Sequence, residues 1–274
     1  MNERTAQAIA IAVALASSTV ANASDWSDTW MGYQYQGNVR EPANPNKIVK
    51  NVAEFGHASG YKYGSNFFAA DLYISDGNDP ANNGGGGAHE AYVVYRHNLS
   101  LSAVSGSKIA FGPVRDVSLM TGFNWSTKND AFASRVRELM VGPTFHIDVK
   151  GGFWDLGLYW SKESNHNGIV GQGVKFKSAP YFSTAWSVGI TDSLTFKGYG
   201  DVIGEKGDDG FGAPTKTEVH FFPKLVLDVG QFAGAGKGAF LAGIGVEYWR
   251  NKYGSSNPVG VDHTTPTVVL EVHF

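Results

Sequence analysis

The chain has 274 residues, with 35 Gly, 12 Tyr, 7 Trp and 17 Phe, no Cys, and a formal net charge of -3. This profile favours many strands joined by tight turns over a helical bundle. The near-neutral charge offers no basic surface for a nucleic acid partner. The lack of cysteine excludes disulfides, thiolate metal sites and a cysteine nucleophile.

The first residues have the features of an export signal. Arg4 precedes an apolar run over 8–16, and the A-N-A triplet at 21–23 is a signal-peptidase type cleavage site. The apolar run is too short to cross a bilayer as a helix, which argues against a membrane anchor. We therefore predict a signal peptide over 1–23 and a mature domain over 24–274.

Alternating segments follow one another along the rest of the chain, separated by clusters of Gly, Asn, Asp, Pro and Ser. None of them is continuously apolar over the length that a membrane helix needs. We predict about twelve strands in one domain. In chain order they cover 29–37, 48–58, 65–75, 89–99, 114–126, 134–146, 152–163, 173–189, 193–204, 215–228, 238–250 and 264–274.

Most of these strands have one apolar face and one polar face. In the strand 65–75, Leu72 and Ile74 share the apolar face, whereas Asp71 and Tyr73 share the other. Alternation alone leaves open which face is inside. A soluble barrel or sandwich buries the apolar face, and an outer-membrane barrel turns it toward lipid.

Three features favour the outer-membrane barrel. An apolar interior fed by about twelve strands would be too wide for side chains to fill, since closed barrels fill at about eight. Compact links such as HIDVKGGFW and GITDSL alternate with long polar links such as SDGNDPANNGGGGAH, GEKGDDGFGAP and NKYGSSNPVGVDH. Aromatic residues suited to the lipid–water interfaces stand near the ends of the apolar faces: Phe68, Trp154, Trp160, Tyr248 and Phe274.

The predicted fold is therefore all-β, a single transmembrane antiparallel up-and-down β-barrel of about twelve strands in the bacterial outer membrane. The sequence finishes on an alternating strand whose apolar face holds Val268, Leu270, Val272 and Phe274. In a closed barrel this strand pairs with the first, because hydrocarbon leaves no other partner for its backbone. The terminal Phe274 also resembles the signal that the barrel-assembly machinery recognises. A buried terminal strand of a soluble sandwich is the alternative.

Under this fold the polar faces line a pore for passive diffusion of small polar solutes. Both signs of charge are present, which disfavours a simple anion or cation pore. Aromatic rings among hydrogen-bonding groups suit a neutral, partly aromatic solute. The predicted pore-lining and solute-binding residues are Asp71, Tyr73, Glu90, Tyr92, Arg96, Tyr159, Lys197, Tyr199, Asp201, Glu218, Glu247 and Trp249.

The structural alternative for any of these residues is an ion pair across strands or a ring that fills space. A group of five lysines on the same faces is a candidate for attracting phosphorylated solutes, although Glu and Asp neighbours oppose this. Its members are Lys175, Lys177, Lys197, Lys216 and Lys224.

The segment HNLSLSAVSGSKIAFGPVRDVSLMTGFNWS resembles the nucleoside-specific channel-forming outer-membrane proteins, the Tsx and OmpK group. The resemblance lies in Leu-Ser, a linker over 105–108, and Phe-Gly-Pro-Val at 111–114. GFWDLGLYWSKESNHNG, SAPYFSTAWSV and the terminal Phe274 fit the later strands of this family. The resemblance implies a monomeric barrel of about twelve strands with a narrow passage for nucleosides.

Two other classes of function stay open. His57 and Ser59 are spaced as in an outer-membrane phospholipase, but Gly60 follows where that family has Asn. The long loops leave open a role as an adhesin or a phage receptor. We expect no enzyme activity, no cofactor and no metal site, because the eight His residues lack metal-ligand spacing. Outer-membrane lipid is the expected surrounding partner.

Overall fold

The computed structural model describes residues 24–274, so the predicted signal peptide lies outside the described part. Thirteen strands, one short α-helix, α1 (Leu101–Ser105), and two 3-10 turns (Gln231–Ala233 and Lys252–Gly254) make up its regular structure. The strands are β1 (Trp26–Val39), β2 (Ile48–Tyr61), β3 (Gly64–Ser75), β4 (His89–Ser100), β5 (Val114–Lys128), β6 (Arg137–Ile147), β7 (Gly152–Asn167), β8 (Gln172–Lys175), β9 (Ala179–Gly189), β10 (Leu194–Ile203), β11 (Glu218–Asp228), β12 (Phe240–Arg250) and β13 (His263–His273).

Twelve of these strands form one closed antiparallel barrel. The last strand pairs with the first, from Trp30 opposite His273 to Gln36 opposite Thr267. Strand β7 pairs with β6 on one side and with β9 on the other, while β8 lies outside the closed ring and pairs only with the end of β7. Closure leaves no open edge in the ring of twelve strands, so the predicted fold class is confirmed.

The barrel is apolar outside and polar inside. Leu158 is 53% exposed and Ile244 is 66% exposed on the outer face, whereas Lys50 and Glu271 are 3% and 2% exposed on the inner face. A soluble sandwich would have the reverse pattern. The alternation along each strand therefore divides side chains between lipid and lumen. No helix among residues 24–274 is long and apolar enough to span a bilayer.

The two ends of the barrel differ. We call the end that holds Trp26 and Phe274 the turn end, and the opposite end the loop end. The turn end carries the links 62–63, 101–113, 148–151, 190–193 and 229–239, and the loop end carries 40–47, 76–88, 129–136, 168–178, 204–217 and 251–262. The expected alternation of short and long links is therefore interrupted twice, because the turn-end links 101–113 and 229–239 are as long as the loops.

The predicted strand 173–189 is divided in the structure. It breaks after Lys175, where the backbone leaves the sheet and bonds to other segments. The Phe176 amide donates to the Glu163 carbonyl, and the Lys177 amide donates to the Lys206 carbonyl. Uninterrupted alternation does not show such a break, because the residues remain extended on both sides of it.

Ile244 tests which face meets the lipid, because it lies near the middle of β12 with its side chain on the outer wall. We expect Ile244→Lys to lower the free energy of unfolding by about 2–4 kcal/mol, the cost of a lysine near the bilayer midplane. Urea unfolding in lipid vesicles measures it. The matched control is Val259→Lys in the loop 251–262, and equal effects of the two variants would contradict the outward orientation.

Candidate functional site

The barrel encloses a cavity of about 1700 Å³, and residues from both ends of the barrel contribute to its wall. At the turn end its wall includes Trp26 and Asp192, and at the loop end it includes Phe132 and Asn257. The lumen therefore runs the length of the barrel, and most of its wall comes from inward-facing strand residues.

All twelve residues predicted to line the pore lie on the wall of this cavity. They come from six strands, and each of them faces the lumen because every second residue of a strand points inward. Their contact with a solute stays a prediction. Among the five lysines predicted to attract phosphate, Lys175, Lys177 and Lys216 are exposed and lie outside the cavity wall, so their placement in the pore was wrong.

A buried ionic cluster lies inside the lumen at the loop end. The link 40–47 brings Glu41 inside, where its Oε1 lies 2.5 Å from Lys50 Nζ, 3.2 Å from Lys252 Nζ and 3.9 Å from Lys128 Nζ. Because one carboxylate is shared by three ammonium groups, this loop is held against three different parts of the chain. We call Glu41 and these three lysines the Glu41 cluster.

Further acids complete the neutralisation of this cluster. Lys128 Nζ lies 2.9 Å from Asp79 and 3.1 Å from Asp130. Asp79 belongs to the link 76–88 and Asp130 to the link 129–136, so three loops meet on buried charges. Burial by itself would raise the pKa of Glu41, but the ammonium groups of Lys252, Lys50 and Lys128 outweigh it and hold this pKa well below its ordinary value.

A second loop residue reaches into the lumen at the same end of the barrel. Lys206, in the link 204–217, is 6% exposed and forms an ion pair with Glu163 of β7. Its Nζ lies 4.6 Å from the centroid of the Phe176 ring, within the range of a cation–π contact. Lys206 thus holds its loop against the place where the strand 173–189 breaks.

Tyrosine rings form a band across the middle of the lumen, which we call the tyrosine band. Its members are Tyr73, Tyr92, Tyr159, Tyr181 and Tyr199. Tyr73 donates a hydrogen bond to Asp71 at 3.2 Å, and the Tyr159 hydroxyl bonds Thr144 at 2.9 Å. Tyr199 is 36% exposed, whereas Tyr181 is 4% exposed and packs with Met120 and Met140. Tyr199 therefore offers the more accessible ring.

Polar partners surround this band. Arg96 donates to Asn124 Oδ1 at 2.8 Å, and Asn124 donates in turn to Glu138 at 2.9 Å. His220 stacks on Trp249 with ring centroids 3.7 Å apart and bonds Glu247 at 3.1 Å. One face of Trp249 is thus covered by His220, which limits its use as a stacking platform.

Toward the turn end, the lumen contains a hydrogen-bonded serine, histidine and aspartate. Ser118 Oγ lies 2.8 Å from His146 Nε2, and His146 Nδ1 lies 2.7 Å from Asp155 Oδ1. His146 is directly opposite Asp155 across the β6–β7 ladder. The three residues therefore connect three consecutive strands, β5, β6 and β7.

The functional residues that the sequence patterns did not reveal belong mainly to loops. Glu41, Lys206 and Lys252 stand in links without a period that could assign them a direction. Lys50 and Lys128 differ, since both occupy inward positions near strand ends and share the parity of Glu54 and Asn124. The alternation of inward and outward positions along β2 and β5 could therefore have predicted that these two lysines face the lumen.

A closed barrel with an apolar outer wall and a polar lumen is the architecture of outer-membrane proteins of Gram-negative bacteria, and the chain is an outer-membrane β-barrel of this class. No family model matches it. It is 24% identical over 285 residues to the outer membrane protein OmpK of Vibrio parahaemolyticus, covering 93% of this chain and 94% of that protein. This similarity agrees with the resemblance found in the sequence at the level of an outer-membrane barrel.

Similar solved structures include porins. The KdgM porin is 9% identical with a TM-score of 0.46, covering 89% of this chain and 99% of the porin. The NanC porin is 9% identical with a TM-score of 0.46, covering 90% and 99%. The translocator domain of the autotransporter NalP from Neisseria meningitidis is 10% identical with a TM-score of 0.48, covering 99% and 95%.

Removing the shared carboxylate should destabilise the loop end. In Glu41→Gln, three buried ammonium groups lose their common partner, so we expect the free energy of unfolding to fall by about 3–5 kcal/mol. Urea unfolding in lipid vesicles measures the change. The matched control is Glu205→Gln, which removes the same charge at an exposed position of the link 204–217. An effect of Glu41→Gln no larger than the control's would show that the cluster does not hold the loops.

The pH dependence of this stabilisation has a definite sign. A carboxyl whose pKa is lower in the folded protein stabilises the fold above its unfolded pKa, and this stabilisation is lost as the pH falls toward the folded pKa. For Glu41 the ordinary value is 4.5. The stability difference between wild type and Glu41→Gln should therefore be constant from neutral pH down to that value and shrink only below it. A loss that begins near neutral pH would contradict the lowered pKa.

Proposed function

We propose that the protein is a channel for passive diffusion of small polar solutes across the outer membrane, with nucleosides as the leading solutes. The observation that carries the proposal is the lumen, which is lined from the turn end to the loop end by polar and aromatic side chains. A polar lumen lets solutes exchange their hydration for successive weak contacts without being held at one of them.

The choice of nucleosides rests on two supports. The sequence resembles the nucleoside-specific channel group, and a flat base needs an accessible ring beside groups that bind a ribose. Tyr199 offers such a ring in the tyrosine band, with Asp201 two residues further along the same wall of β10. Hydroxyl and carboxylate groups around the band supply partners for ribose hydroxyls.

Single-channel currents in planar bilayers test this proposal. We expect nucleosides, but not sugars of similar size, to reduce the current. Tyr199→Ala should raise the nucleoside concentration needed by at least about fivefold, because stacking of a base on a ring contributes about 1–3 kcal/mol. Tyr35→Ala is the matched control, since Tyr35 is 44% exposed on the outer wall. If nucleosides do not change the current, the proposed preference for nucleosides is wrong, whereas the proposed channel function still stands.

Two partners belong to the same proposal. The strand that ends at Phe274 would be recognised by the barrel-assembly machinery, and Phe274 is 70% exposed beside β1, where its amide donates to the Thr29 carbonyl at 2.9 Å. The six links at the loop end would be the surface available to phage. The monomeric state that the family resemblance implies belongs to the same proposal.

One observation favours a second candidate function, hydrolysis in the lumen. Ser118, His146 and Asp155 have the order and the distances of a nucleophile, a base and an orienting acid. The phospholipase-like pair fits less well, because the His57 ring bonds Thr29 rather than Ser59. Ser118 lies inside a sheet whose amides pair with β4 and β6, which leaves no pair of backbone donors to stabilise an oxyanion. We therefore place the channel first.

A fluorophosphonate probe separates the two candidates, since it labels an activated serine covalently. If the protein is a channel without hydrolase activity, the probe should label the wild-type protein no more strongly than it labels the Ser118→Ala variant. Labelling that is lost both in Ser118→Ala and in His146→Gln would instead establish hydrolase chemistry at this site. Ser183→Ala is the control, because Ser183 also lies on the lumen wall but outside the histidine contact.

A further inference from the structure

The wall of the lumen is far more acidic than the chain as a whole. Seventeen Asp and Glu residues line the cavity, against nine Lys and Arg residues. The formal net charge of the entire chain is only -3. The negative charge is therefore concentrated on the inner face, and compensating positive charge lies elsewhere on the molecule.

The positive charges of the lumen are mostly neutralised where they stand. Lys50, Lys128 and Lys252 belong to the Glu41 cluster, and Lys206 is paired with Glu163. Toward the turn end, Lys197 Nζ lies 2.6 Å from Glu271, and Lys224 Nζ lies 3.9 Å from the same carboxylate. Paired in this way, these lysines offer little net positive charge to a phosphorylated solute.

Many acids of the same wall have no such partner. Among residues 24–274, no Lys, Arg or His nitrogen lies within 4.0 Å of the carboxylates of seven lumen residues. They are Glu54, Asp71, Glu90, Asp116, Glu138, Asp201 and Glu218. One oxygen of Asp71 is buried without any hydrogen-bond partner. These acids come from seven different strands, so they surround the passage.

We propose that the passage selects cations over anions and favours solutes that carry an ammonium group. This inference rests on the proposed channel function, and it concerns the ions and charged solutes that enter the same passage as the neutral nucleosides. A passage whose fixed charges are mainly of one sign concentrates counter-ions and disfavours ions of the same sign. The tyrosine band reinforces the preference, because the face of an aromatic ring attracts a cation. Arg96, bonded to the neutral Asn124, is the main opposing charge of the mid-lumen.

The test is the reversal potential of the purified full-length barrel in planar bilayers under a potassium chloride gradient. We expect potassium to be on the order of tenfold more permeant than chloride at low salt, and the ratio to fall at molar salt as the wall charges are screened. Replacing potassium with choline should preserve inward current, whereas replacing chloride with gluconate should change little. Equal permeability or a chloride preference would overturn the inference.

Charge removal inside and outside the lumen assigns the effect to these acids. The double variant Asp71→Asn and Asp201→Asn removes two carboxyl groups that have no cationic partner and should lower the permeability ratio at least about twofold. Glu90→Gln is an independent variant with the same expected direction. The matched control is Asp148→Asn in the turn 148–151, which is exposed and lies off the lumen wall.

The outcomes separate this inference from the channel proposal. A reduced ratio in the lumen variants with an unchanged control supports it. A ratio that is unchanged in both lumen variants, or that changes equally in the control, overturns it. Absence of current in every salt would overturn the channel function itself, whereas a conducting but anion-selective barrel would overturn only the charge preference.

Discussion

The hydrocarbon interior of a membrane offers no hydrogen bond to a peptide group, and the rest of this structure depends on that constraint. Each backbone group in the bilayer must find a partner in the chain. The pairing of β13 with β1 meets this demand, because it removes the last open edge of the sheet. Closure then divides side chains into two sets, and the lipid dictates which set is apolar.

This division explains how much the sequence could predict. The twelve predicted pore residues lie on the lumen wall, because the side-chain period of two needs only the strand to be recognised, and their contact with a solute stays a prediction. The same reasoning failed for Lys175 and Lys177, since the run that contains them breaks away from the sheet. The side-chain period cannot predict the positions of Glu41 and Lys206, because loop residues have no period. Their inward position depends on ion pairs with distant strands.

The charges of the lumen show a second limit of sequence reasoning. A count of both signs along the strands suggested a mixed pore, since strand position does not reveal which charges meet. The structure sorts them: Lys197 and Lys224 share Glu271, while Asp71 and Asp201 lack a cation. Ion pairs of this kind form across strands and loops, so only three-dimensional distances separate a neutralised charge from a free one.

Structural and functional roles divide the polar wall in the same way. A buried charge with a partner stabilises the barrel only through that partner, and it is then unavailable to a passing solute. The Glu41 cluster and Lys206 therefore hold the loops, whereas the acids without a cationic partner and the accessible ring of Tyr199 are the groups that we propose contact a passing solute. A channel needs both kinds of residue, because a lumen that held only paired charges would be stable but would not distinguish one solute from another. The balance between paired and unpaired polar residues sets how strongly this barrel can discriminate among solutes.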